Sequence, residues 1–94
     1  VVNVSDAEIM AAQKLLGRTC GVFGEPAGVT GTAGVKKLCE QGVLGKNDTV
    51  VSVVTGNGLK DVANAIKACG EPITIPSDMD RLLKAFAERD IHVE

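Results

Sequence analysis

The run Thr49-Val50-Val51-Ser52-Val53-Val54-Thr55-Gly56-Asn57-Gly58-Leu59-Lys60-Asp61 decides how this chain is read. Val50, Val51, Val53 and Val54 put apolar side chains on both faces of an extended segment, interrupted only by Ser52. A strand apolar on both faces is expected at the centre of a parallel sheet covered on both sides. Glycines follow at once and lead into a helix. Its Leu59, Val62, Ala63, Ile66 and Cys69 form one stripe, closed by Gly70.

Upstream, Ser5-Asp6-Ala7-Glu8 is a capping-box pattern that starts a helix running to Leu16 or Arg18 and burying Ile9, Ala12 and Leu16. Gly21-Val22-Phe23 reads as a short strand, and so does Val1 to Val4. Pro26 suits a helix start, because its missing N–H would be unpaired there in any case. That helix extends from Ala27 to Gln41 and stops at Gly42. Its Gly28, Gly31 and Gly34 each cost about 1 kcal/mol relative to alanine inside a helix. Such a row admits either a packed neighbour or a flat ligand. Downstream, Ile73-Thr74-Ile75 is a further candidate strand. Ser77 caps a last helix with Met79, Leu82, Leu83 and Phe86 on its buried face. Strands alternating with helices predict an α/β fold with a mainly parallel sheet, a partial three-layer domain in which residues 1–94 form a single segment.

Composition narrows the function classes. Ten basic residues against twelve acidic ones and a formal charge of −2, with only Phe23 and Phe86 aromatic, argue against nucleic acid. No apolar stretch approaches the roughly 18 residues that cross a bilayer, and no charged-then-apolar leader is present. Cys20, Cys39 and Cys69 are odd in number and widely spaced, which fits a reducing cytoplasm and no metal site. His92, alone near the end, reads as a surface residue. Val1-Val2-Asn3-Val4, without an initiator Met, reads as a cut or processed chain.

In open α/β sheets ligands gather at the carboxyl ends of strands, which singles out Gly24 to Gly28 and Thr55 to Asp61. Glycines before a helix N-terminus can cradle an anion. Gly56-x-Gly58 is nevertheless only half of a dinucleotide fingerprint, since position 61 is Asp, and Lys60 lacks the Walker spacing. Asp61 and Lys60 read as turn and helix-terminus residues, an acid being favoured in a first turn.

Thr55-Gly56-Asn57-Gly58-Leu59-Lys60-Asp61 resembles the T-G-[HN]-G-L-K-D signature of threonine synthases. Glu25-Pro26-Ala27 with Ala33-Gly34 resembles the E-P-A…A-G segment that precedes it. Val4-Ser5-Asp6 and the segment from Pro72 to Leu83 also fit, so the similarity covers essentially the whole chain, as the carboxy-terminal part of such an enzyme. Gly28 after Glu-Pro-Ala is shared with serine and threonine dehydratases, which leaves such a dehydratase as an alternative; a free-standing α/β anion-binding module is another. The resemblance implies pyridoxal phosphate as cofactor of the intact enzyme, a lyase that turns O-phosphohomoserine and water into threonine and phosphate. It implies a cytoplasmic homodimeric parent and, as partner of this segment, the remainder of that enzyme.

Residue by residue, Thr55 matches the hydroxyl that hydrogen-bonds the pyridine nitrogen of the cofactor; the other reading is a turn threonine bonded to nearby backbone. Glu25 matches a carboxylate near the ring, and a helix-start acid is its other reading. No catalytic residue is expected within the chain. The lysine that forms the Schiff base and the phosphate-holding loop belong upstream in this family. None of Lys14, Lys36, Lys37, Lys46, Lys60, Lys67 and Lys84 has the matching context, so the segment alone is expected to be inactive.

Overall fold

A computed structural model describes residues 1–92. Among the described residues there are four α-helices, α1 (Asp6–Cys20), α2 (Pro26–Glu40), α3 (Val62–Cys69) and α4 (Met79–Ala87), with one 3-10 turn at Gly58–Lys60 before α3. The helix starts follow local chemistry. Ser5 accepts from the Glu8 backbone N–H while the Glu8 carboxylate accepts from the Ser5 N–H, the reciprocal box its spacing predicts. Pro26 opens α2. Asp61 caps α3 and Asp78, rather than Ser77, caps α4 by accepting from Arg81 N–H. Gly21, Gly42 and Gly70 all lie at positive φ just beyond helix ends.

The mainly parallel sheet is overturned: among the described residues there is no strand, only an isolated antiparallel bridge between Gly24 and Asn57. Residues 1–4, 21–23, 49–54 and 73–75, read as strands from their composition, find no ladder. A strand exists through hydrogen bonds to a neighbour, and β-branched composition expresses only fitness for a pleated surface. The valine run is therefore a lone extended segment, with Val51 at 85% and Val53 at 74% exposure instead of the central burial its pattern predicts.

That segment does have a neighbour of another kind. It lies along the glycine face of α2. A Cβ built on Gly31 would sit 3.3 Å from the Ser52 hydroxyl, which is itself 3.1 Å from that of Thr32. The glycine row thus receives chain and not a ligand. Helix α1 packs against both α2 and α3. The core is made of small residues, Ala12, Val29, Ala33, Ala65, Ala68 and Ala85, together with one polar side chain, Gln13. The stripe expected to be buried on α3 is instead outward, with Leu59, Val62 and Ile66 exposed. The molecule is elongated, 51 × 29 × 19 Å.

Candidate functional site

The two glycine-bearing segments singled out by their positions in the sequence, Gly24–Gly28 and Thr55–Asp61, meet. Two backbone hydrogen bonds clamp them: Gly58 N–H donates to the Phe23 carbonyl at 2.9 Å, and Glu25 N–H donates to the Gly56 carbonyl at 3.3 Å. The closeness of this crossing explains four glycines. A Cβ on Gly28 would overlap the Thr55 carbonyl, and one on Gly58 would press within 2.6 Å of the Phe23 ring. A Cβ on Gly24 would meet Val29 at 2.7 Å. Gly56 lies at φ 72°, in the left-handed region where glycine is at home, with the Glu25 side chain packed where its Cβ would be.

Thr55 sits at this crossing, exposed, and its hydroxyl forms no side-chain hydrogen bond among the described residues. Glu25 stands at the N-cap of α2 yet makes no side-chain cap hydrogen bond. Its half-buried carboxylate lies against Gly56, the residue after Thr55. A hydroxyl-bearing residue and a carboxylate-bearing one therefore meet at Gly56, Thr55 as its chain neighbour and Glu25 by packing, from positions thirty residues apart in the numbering. This donor set suits the nitrogen-bearing end of a heteroaromatic ring, since a hydroxyl can donate to an aromatic nitrogen without protonating it. It supplies nothing for a phosphate.

The neighbouring residues are committed elsewhere. Asn57 accepts from Leu59 N–H at 2.9 Å, fixing the 3-10 turn. Asp61 accepts from the backbone and side-chain amides of Asn64, which hold its carboxyl below the usual carboxylate range. Among the lysines, Lys36 pairs with Glu40, while Lys37 reaches the Asn3 carbonyl at 2.9 Å and Glu8 at 2.9 Å. Lys60 is exposed. A cleft of about 430 Å³ between α1 and α3, bordered by Lys14, Arg18, Phe23 and Cys69, receives neither Thr55 nor Glu25.

One residue at this site escaped the sequence reading. Gln13 is 1% exposed and donates its side-chain amide to the Gly24 carbonyl at 2.7 Å. The signal was present: position 13 falls on the same helical stripe as Ile9, Ala12 and Leu16.

Comparison with known proteins gives a consistent picture. Residues 1–56 match the family described as pyridoxal-phosphate dependent enzyme. The chain is 47% identical over 85 residues to threonine synthase of Methanocaldococcus jannaschii, covering 90% of this chain and 21% of that protein. It is 42% identical over 84 residues to threonine synthase of Methanosarcina acetivorans, covering 89% and 21%. To the threonine synthase of a Bacillus strain it is 52% identical over 65 residues, covering 69% and 18%. The chain spans about a fifth of the length of the curated relatives it matches.

Proposed function

Because the chain belongs to the pyridoxal-phosphate dependent enzyme family, we propose that it is one segment of a threonine synthase and forms the wall of the cofactor site that faces the pyridine nitrogen. Similarity to threonine synthases over some nine-tenths of the chain supports the assignment. The observation that carries the site is the crossing of residues 55–58 over the start of α2, which leaves Thr55 exposed next to Gly56, against which the Glu25 side chain packs.

Pyridoxal phosphate supplies, when bound, a conjugated ring that draws electrons from the substrate carbon attached to it. The chain's contribution is to hold and tune. The Thr55 hydroxyl donates to the ring nitrogen and leaves it unprotonated, which a carboxylate at the same place would not do. Gly56 and Gly28 let the loop close over α2 so that this hydroxyl is set by backbone and not by a mobile side chain. The Glu25 side chain packs against Gly56 and so braces the loop that carries Thr55. The lysine that tethers the cofactor, the loop for its phosphate and the contacts to O-phosphohomoserine come from the remainder of the enzyme, and the segment alone is inactive.

The test uses the full-length enzyme. Phosphate released from O-phosphohomoserine, with threonine formed in equal amount, is the expected activity; 2-oxo acid and ammonia from free threonine would instead make it a dehydratase. Thr55→Val should bind pyridoxal phosphate about three- to tenfold more weakly, the worth of one hydrogen bond, and alter the absorbance of the bound cofactor. Unchanged affinity and spectrum would remove Thr55 from the site.

A further inference from the structure

Gln13 is costly where it stands. The rest of the core is alanines and Val29, and Gln13 is 1% exposed at the wall of the cleft between α1 and α3. An amide in such surroundings is tolerated when its hydrogen bonds are made. Here only half are. Nε2 donates to the Gly24 carbonyl at 2.7 Å, while Oε1 has no partner among the described residues. The orientation is settled by the carbonyl, which can only accept, so the nitrogen must face it. A leucine or methionine would fill the space without an orphaned oxygen. It would also strip the buried Gly24 carbonyl of its side-chain donor, so the glutamine is kept for that one bond.

What the amide holds is informative. Gly24 is the residue bridged to Asn57, and its two chain neighbours make the bonds of the clamp: the Phe23 carbonyl takes Gly58 N–H, and Glu25 N–H reaches the Gly56 carbonyl. Val54 and Val29 close around Gly24. The Gly24 carbonyl is thus where α1 grips the segment against which the loop of Thr55 is built. We propose that Gln13 is a positioning residue for the cofactor-facing edge: by holding the Gly24 carbonyl it sets the placement of Glu25 and, through the bridge to residues 56–58, of the Thr55 hydroxyl. The inference rests on the reading that Thr55 faces the ring nitrogen, and adds to it a buried residue on another helix that touches neither cofactor nor substrate.

Full-length enzyme carrying Gln13→Met or Gln13→Glu is compared with the parent and with Thr55→Val. Three quantities are read: melting temperature without cofactor, affinity for pyridoxal phosphate, and the emission maximum of the bound cofactor. Gln13→Met keeps the volume and removes the donor. Its cofactor-free melting temperature should change little, because losing the donor to the Gly24 carbonyl and losing the unpartnered oxygen oppose each other, while affinity falls about threefold or more, the loss of one modest hydrogen bond, and the emission shifts towards that of Thr55→Val. Gln13→Glu turns an acceptor towards the Gly24 carbonyl unless it is protonated. Its affinity relative to the parent at the same pH should therefore recover as pH falls. Parent-like affinity and emission in Gln13→Met, with Thr55→Val impaired, would overturn the inference and leave the cofactor assignment standing. An unimpaired Thr55→Val would sink the assignment itself, and this inference with it. Should Gln13→Glu not fold, Gln13→Met decides alone.

Discussion

At Gly28 the space a side chain would occupy is already taken by the Thr55 carbonyl, so this glycine is a requirement of the crossing and not a source of flexibility. Gly28→Ala in the full-length enzyme should force the loop off α2, costing about 1–3 kcal/mol as overpacking does and weakening pyridoxal phosphate binding together with it. Denaturant unfolding and cofactor titration measure the two effects, and a neutral Gly28→Ala would show that the loop sits elsewhere. Glu8 offers a second residue-scale expectation. The Ser5 backbone N–H, then the Lys37 ammonium and the Ser5 hydroxyl, lower its pKa from 4.5 to about 2. A carboxyl with a depressed folded pKa adds stability that is complete above its unfolded value and disappears as pH falls through the folded one. The melting temperature should accordingly decline between about pH 5 and pH 2, and Glu8→Gln should flatten that decline. Equal acid limbs in parent and Glu8→Gln would contradict the capping-box assignment of this charge.

Elements were legible in proportion to how local their causes are. The capping box of α1, Pro26 at the head of α2 and Gly42 and Gly70 beyond α2 and α3 each act within about four residues, and each was read correctly. The burial of α3 was not. Its stripe of Leu59, Val62 and Ile66 is exposed, and Ala65 and Ala68 face inward. Small side chains let α3 approach α1 closely; the larger ones on the opposite side meet nothing. Gly17 gives an element-scale test. It lies inside α1, and a Cβ there would meet no atom within 4 Å. Gly17→Ala should raise stability by about 1 kcal/mol, since it removes unfolded-state freedom and adds no clash. A loss of stability would mean that something packs against that face in the full-length enzyme.

At the scale of the molecule, the chain leaves much apolar surface open: Val51 and Val53 on the extended run, Leu59, Val62 and Ile66 about α3, Met79 and Leu83 on α4. An uncovered extended segment invites pairing with other chains. The 94-residue segment alone should therefore self-associate with rising concentration in sedimentation experiments, and replacing Val51 and Val53 with lysine should reduce this. A sharply unfolding monomer at every concentration would argue that the surface is harmless. The sequence by itself determined where α1 and α2 begin and which glycines follow α2 and α3, because caps, proline and positive-φ glycines answer to neighbours a few residues away. It also carried the likeness to threonine synthases, through motifs that are contiguous. Only the tertiary structure decided that the valine run pairs with no strand, that Gly28 and Gly31 of α2 receive the chain of residues 52–55, and that Gln13 reaches Gly24. Each of these depends on a partner brought near by the path of the whole backbone, and no local pattern records whether that partner arrives.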